Sequence, residues 1–125
     1  MSTETDLVAW LKAQPALTAL ISERIYPVQL PDEVVLPAVT YKRISTVPDV
    51  DLEDVGIRQA RFEFSCWAKS YLATLDVAAP LRAALEFTSP PGPSIDRILP
   101  DGSADHHEEG SDLSRRTLDF LIFER

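Results

Sequence analysis

The densest set of side chains that could bind a metal or move a proton lies at residues 101–112. It combines carboxylic acids with two adjacent histidines: Asp101, Asp105, His106, His107, Glu108, Glu109 and Asp112. Imidazole and carboxylate ligands together suit zinc or manganese, so a metal-dependent hydrolase built on this cluster is the remote alternative function. The His-Glu-x-x-His pattern of a zinc-binding helix is absent, however, and the stretch is polar and flanked by glycine. We therefore interpret it as a solvated loop that holds no metal.

A second acidic run, at residues 49–54, has the charge of a calcium-binding loop but not its spacing. An EF-hand loop needs glycine at its sixth position and glutamate at its twelfth. Gly56 is misplaced for a loop that starts at Asp49. We interpret this run as the acidic tip of a hairpin.

Nucleophilic catalysis lacks its usual motifs. The chain has four glycines, and it contains neither a Gly-x-Ser-x-Gly elbow nor a phosphate-binding glycine loop. His106 or His107 could pair with Ser103 or Ser111, but nothing in the sequence orients such a pair. We expect no enzymatic activity and no cofactor.

The charge balance disfavours nucleic acid as a specific ligand. The chain has 125 residues with 12 Lys+Arg against 20 Asp+Glu, a formal net charge of −8. Binding through phosphate neutralisation requires a basic patch. The concentrated basic pairs, Lys42-Arg43 and Arg115-Arg116, are not interleaved with stacking aromatics. An acidic surface can instead keep a DNA passage from sticking.

Cysteine content and hydropathy indicate a protein made in a reducing cytoplasm. Cys66 is the only cysteine and lies in an apolar stretch, which predicts a buried, inert thiol. The acidic N-terminal residues do not resemble a signal peptide. No run approaches the ~20 apolar residues that span a bilayer, so we expect no membrane association.

Apolar residues at three-and-four spacing predict helices near the N-terminus and over residues 70–87. Thr3 is the predicted N-cap of the first helix, Pro15 is predicted to end it, and residues 16–21 to form a second short helix. Ser70 is the predicted cap of the later helix, and Pro80 is predicted to kink it or to start a new one. The expected apolar side of that helix consists of Tyr71, Leu75, Ala78, Leu81 and Leu85.

Period-two alternation predicts strands at residues 24–26, 38–45, 57–68, 95–99 and 117–123. Residues 100–102 are predicted to turn. Between 57 and 68 one face is apolar, and the opposite face is predicted to be wetter, with Gln59, Arg61, Glu63 and Ser65. The sequence therefore predicts one α+β domain over residues 1–125: a mainly antiparallel sheet of four to five strands with two or three helices packed on one face.

Four segments in this order resemble the tail-completion (tail-terminator, head-tail joining) family of long-tailed bacteriophages. The opening TDLVAWLKAQPALTALISERIYP is similar to the family's helix followed by a short Arg-Ile-Tyr-Pro strand. The proline-led strand LPAVTYKRIS (36–45) and the strand–Trp-Ala–helix unit RQARFEFSCWAKSYLATLDVAAPLRAAL (58–85) resemble the next two parts. The ending LSRRTLDFLIFER is similar to the family's final strand.

This resemblance implies a non-enzymatic virion protein at the head-proximal end of the tail, assembled in the host cytoplasm. It implies a homo-oligomeric ring, a hexamer, whose partners are the tail tube protein and the head-tail connector protein. A different connector or minor tail protein is the alternative. A ring needs two complementary patches on each subunit. The candidate partner-contact residues are Asp49, Asp51, Glu53 and Asp54 on the acidic tip and Gln59, Arg61 and Glu63 on the wetter strand face.

Overall fold

The computed structural model describes residues 2–48, 58–107 and 113–125. Within these ranges the chain forms three helices and five strands, which confirms the predicted α+β class. In chain order the elements are α1 (Thr3–Lys12), α2 (Pro15–Ile21), β1 (Ile25–Pro27), β2 (Ala38–Pro48), β3 (Arg58–Ala68), α3 (Tyr71–Leu85), β4 (Ile95–His107) and β5 (Ser114–Glu124).

The strands form a sheet in the order β1-β2-β3-β5-β4, in which β1 is parallel to β2 and the other pairs are antiparallel. Arg58 of β3 pairs with Pro48 on one side and with Glu124 on the other. We call the end of the sheet at which these three residues lie the Arg58 end. The other end of the same strands, where Ala68 pairs with Ser114, is the Ala68 end. Residues 49–57 therefore join β2 to β3 at the Arg58 end, and residues 108–112 join β4 to β5 at the Ala68 end.

Alternate residues of the strands meet the helices in one hydrophobic core. Phe62, Phe64 and Cys66 of β3 are fully buried, as the alternation predicts. The ring of Phe64 packs edge-on against Phe120 of β5, with 5.8 Å between centroids. Leu7 and Leu11 of α1, Leu17 and Ile21 of α2, and Val77, Leu81 and Leu85 of α3 complete the packing from the helical side. Strand β5 lies between β3 and β4, and its residues Leu118, Phe120 and Ile122 face this core.

The first helix begins one residue earlier than predicted. Ser2, not Thr3, is the N-cap, because its hydroxyl oxygen accepts a hydrogen bond from the Thr5 amide at 3.1 Å. Thr3 is buried and its hydroxyl donates to Glu124. Pro15 separates α1 from α2 as predicted, and it occupies the first turn of α2, where its missing N–H leaves no intrahelical bond unmade.

Helix α3 continues through Pro80, so the prediction of a new helix at that position is wrong. Pro80 removes the hydrogen bond to the carbonyl of Asp76, which lies on the exposed side of the helix, where water can bind that carbonyl instead. Ser70 caps the helix as predicted. The buried side differs from the predicted one: Tyr71 is exposed, whereas Thr74, Val77 and Ala84 are buried.

Strand β4 is longer than predicted. Residues 100–102 do not turn; the strand continues to His107 with an irregularity in register between Pro100 and Gly102. Gly102 has φ +129°, a conformation that favours glycine and lets the strand absorb the extra residue as a bulge. The predicted polar loop is thus, up to His107, the end of the first strand of the β4–β5 hairpin.

The turn between α3 and β4 packs against α1. Gly92 has φ +124°, and a Cβ at this position would lie 2.6 Å from Asp6 Oδ2. The same carboxylate oxygen accepts a hydrogen bond from the Ser94 amide at 3.2 Å. Glycine is therefore required here both by the backbone angle and by the close approach of Asp6.

Arg43 joins the two ends of the chain at the Arg58 end of the sheet. Its guanidinium donates two hydrogen bonds to the Glu124 carboxylate, at 2.9 and 2.8 Å, and a third to Glu4 Oε1 at 3.1 Å. It also lies 4.8 Å from the centroid of the Phe62 ring. The hydrogen bonds from Arg43 lower the pKa of Glu124. This bidentate pair holds α1, β2 and β5 together.

We predict that Glu124 makes the stability of the protein sensitive to acid. Because its folded-state pKa is lowered, its contribution is fully present above the ordinary glutamate pKa and is lost as the pH falls through the folded-state value. Glu124→Gln should reduce the free energy of unfolding at pH 7 by about 1–3 kcal/mol. Its urea-unfolding midpoint should also fall less between pH 7 and pH 3 than that of the unmodified protein. The exposed Asp32→Asn serves as the control. An equal fall in Glu124→Gln and the unmodified protein would contradict this role.

Candidate interaction surface

The face of the sheet opposite the helices carries the candidate interaction surface, which we call the outer face. Alternation places every second residue of β3 and β5 on it, and the register aligns them across the strands. Residues aligned in this way form five rows across the outer face. From the Ala68 end to the Arg58 end, the rows are Ala38, Trp67 and Arg115; Thr40, Ser65, Thr117 and Ala104; Lys42, Glu63, Asp119 and Gly102; Ser45, Arg61, Leu121 and Leu99; and Gln59, Phe123 and Arg97.

Three of the predicted contact residues lie together on this face. Gln59 and Arg61 are exposed, and Glu63 is half-buried. The other four, Asp49, Asp51, Glu53 and Asp54, lie outside the described residues.

A row of hydroxyls crosses the outer face near its middle. Thr40, Ser65 and Thr117 are buried although no described helix packs over them. Trp67 Nε1 donates to Thr40 Oγ1 at 2.9 Å, and the guanidinium of Arg115 lies 5.1 Å from the Trp67 ring centroid. These large neighbours shield the hydroxyls, so the prediction that Ser65 is wet is wrong. The row gives the outer face a rigid, polar centre.

Like charges oppose each other in the next row. Glu63 of β3 pairs directly with Asp119 of β5, and Lys42 lies on the far side of Glu63. Desolvation raises the pKa of Asp119, and repulsion from Glu63 raises it further. Within the described part of the chain, Asp119 Oδ1 is buried and accepts no hydrogen bond. Two carboxylates directly opposite in a sheet destabilise the folded subunit.

Toward the Arg58 end the outer face becomes more apolar. Arg61 Nη2 lies 2.8 Å from Asp101 Oδ2, which joins β3 to the bulge of β4. Around this pair Leu99, Leu121 and Phe123 are half-buried, so apolar atoms remain accessible beside the ion pair. Mixed apolar and charged groups of this kind are typical of protein interfaces.

The described side chains also bear on the predicted metal cluster and on Cys66. Among residues 2–48, 58–107 and 113–125, no group of three or more His, Cys, Asp or Glu side chains is placed to hold a metal. Asp101, the first residue of the predicted metal cluster, is held by Arg61. The Cys66 thiol is buried, and burial raises its pKa to about 12, so it is a poor nucleophile at neutral pH.

Sequence reasoning missed half of this surface. Trp67, Asp119, Leu121 and Phe123 were not predicted as contact residues, because their place beside Arg61 and Glu63 depends on the pairing of β3 with β5. The signal that could have found them is the second apolar face of the last strand, since one strand cannot present both faces to the same core.

Comparison with known proteins identifies the family. The sequence matches the family described as Tail completion protein gp17 over residues 5–125. The chain belongs to this tail completion family. Comparison of the tail completion protein with curated protein sequences finds no match.

A solved structure shares the fold of this tail completion protein. One chain of "Virion of native gene transfer agent (GTA) particle" superposes with a TM-score of 0.84 at 16% sequence identity, covering 98% of this chain and 93% of that chain. The family assignment makes this protein a bacteriophage virion structural component. None of its described helices is both long and apolar enough to cross a bilayer.

We predict that removing the charge of Asp119 stabilises the isolated tail completion protein. A raised folded-state pKa means that the ionised carboxylate is disfavoured by folding, so the penalty is present at neutral pH and is relieved on protonation. Asp119→Asn should raise the free energy of unfolding at pH 7 by about 0.2–1 kcal/mol, with the gain vanishing at acidic pH. The measurement is urea unfolding at both pH values.

Asp101→Asn is the matched control for this prediction, because it removes a carboxylate that has a cation partner. It should not stabilise the protein. A loss of stability in Asp119→Asn at pH 7 would contradict the prediction.

Proposed function

We propose that this protein caps the head-proximal end of the phage tail tube and helps to join the tail to the head. It acts as a ring of identical subunits, a hexamer, in contact with the tail tube protein below and the head-tail connector protein above. It works as a structural protein and not as an enzyme. It joins particles that assemble in the host cytoplasm.

The observation that carries the proposal is the outer face of the sheet. The unfavourable Glu63–Asp119 pair and the accessible Leu121 and Phe123 do not stabilise the isolated subunit. Both make sense on a surface that receives another protein, because a neighbour's cation can neutralise the carboxylates and its apolar side chains can cover the rest. Stability given up by the isolated subunit is a common signature of a functional surface.

The distribution of charge also supports a ring. Residues 49–57 and 108–112 contain seven of the 20 acidic residues and none of the 12 basic ones. These segments join strands at opposite ends of the sheet. Each end of the subunit can therefore offer acid to a different neighbouring protein. Acid facing the lumen would repel DNA phosphates and let the genome pass.

We predict that particles made without this protein have defective tails. Tubes should be over-long or lack attached heads, because nothing closes the tube or receives the connector. Electron microscopy of the mutant particles gives the readout, with the gene restored in trans as the control. Normal tail lengths and normal head attachment would contradict the proposed function. Defective heads with complete free tails would instead favour a connector protein on the head side. The two roles can also be distinguished by whether the purified protein co-sediments with tail tubes or with filled heads.

A further inference from the structure

An exposed phenylalanine follows α3 on the β4 side of the sheet. Phe87 is 74% exposed and has φ +56°, a backbone conformation that bulky side chains rarely adopt. The next residues run beside the first part of β4: Ile98 N donates to Thr88 O at 2.9 Å, and Ser89 Oγ donates to Asp96 O at 2.8 Å. The strained backbone is therefore fixed by its neighbours and holds the ring out from the surface.

Phe87 forms one wall of a cleft of about 360 Å³, which we call the Phe87 cleft; its lining is Phe87, Ser89, Asp96, Arg97, Leu99 and Arg125. Two guanidinium groups in this lining share a single carboxylate. Arg125 Nη2 lies 3.5 Å from Asp96 Oδ1, and Arg97 Nε lies 4.0 Å from Asp96 Oδ2. The side chains of Arg97 and Arg125 are 63% and 53% exposed. The side chains of this lining thus carry a net positive charge beside the apolar Phe87 and Leu99, although the chain as a whole has a charge of −8.

A ligand that matches this cleft combines carboxylates with apolar side chains. Residues 49–55 have this composition, since Asp49, Asp51, Glu53 and Asp54 alternate with or flank Val50, Leu52 and Val55. No basic residue interrupts the segment. We propose that the Phe87 cleft binds residues 49–55 of a neighbouring copy of this chain.

The sheet topology gives the segment and the cleft the positions that a ring needs. Residues 49–57 join β2 to β3 at the Arg58 end. The cleft lies at the same end, because Ile95 of β4 pairs with Glu124, which pairs with Arg58. In the sheet order, the segment joins β2, which is next to one edge, to the central strand β3, and β4 is the opposite edge. Copies placed side by side at one level bring the segment of one to the cleft of the next, a head-to-tail contact that closes into a ring.

This contact deepens the proposed function and rests on its ring of identical subunits. Phe87 is the apolar anchor, because an aromatic ring surrounded by a polar rim supplies most of the binding energy in many interfaces. Arg97 and Arg125 select an acidic partner and reject a basic one. The same segment could fold back onto its own cleft, so the experiment must separate binding within a copy from binding between copies.

Cysteine cross-linking in assembled particles tests the proposal. Leu52→Cys/Ser89→Cys particles, which keep Phe87 and place the second cysteine at an exposed position of the cleft lining, are exposed to a mild oxidant, denatured and run on a non-reducing gel; native Cys66 is buried and stays unreactive. A ladder of covalent multimers is expected. The matched control is Leu52→Cys/Leu72→Cys, because Leu72 is 69% exposed and lies at the start of α3. Adding Arg97→Glu and Arg125→Glu to the first variant should reduce the multimers by about tenfold.

Three results would overturn the inference: no cross-link, a disulfide confined to monomers, or a control ladder of equal intensity. Circular dichroism of each purified variant verifies that it is folded. The outcome is separate from that of the capping proposal. A ladder together with normal tails in particles lacking the protein would retain the contact and reject capping. Defective tails without a ladder would retain capping and reject the contact.

Discussion

A sheet has two faces, and the described helices of this protein cover only one. Along each strand, residues therefore alternate between the core of the subunit and the outer face, which other proteins can contact. On the helical side, Phe62, Phe64 and Phe120 form a dry core with α1, α2 and α3. On the outer face, Arg61, Glu63, Asp119 and Leu121 have no such cover. The rest of the structure follows from this division, because the core fixes the register and the register sets the pattern of the outer face.

The energetics of the two sides differ in the same way. On the helical side, Arg43 of β2 binds Glu124 in bidentate fashion and also binds Glu4, which ties α1 to β5 at the Arg58 end of the sheet. On the outer face, Glu63 and Asp119 oppose each other without a full set of partners. The outer face therefore suits assembly, because a partner protein can supply the positive charge and hydrogen bonds that these carboxylates lack in the isolated subunit. Placing most of the net charge in residues 49–57 and 108–112 leaves the body of the subunit close to neutral.

Much of the fold could be predicted from the sequence, because strand and helix periodicities are local signals. The alternation in β3 predicted which residues face the core, and Pro15 and Ser70 marked helix ends. The failures depend on contacts distant in sequence. Ser65 is buried in the hydroxyl row beside Trp67. Thr3 is part of the helix, and its hydroxyl donates to Glu124. The course of β4 through Pro100 was missed because a bulge at Gly102 resembles a turn in the sequence. For the interaction surface, β3 supplied Gln59, Arg61 and Glu63, but Asp119 and Trp67 required the strand register.

The most direct test of the central claim compares the outer face in the free subunit and in the particle. Hydroxyl-radical footprinting with mass spectrometry reports the accessibility of Leu121 and Phe123, and Leu20 on α2 provides an internal reference. If the outer face is a contact surface, labelling of Leu121 and Phe123 relative to Leu20 falls when the protein is incorporated into particles. Unchanged relative labelling of both residues in assembled particles would contradict the account.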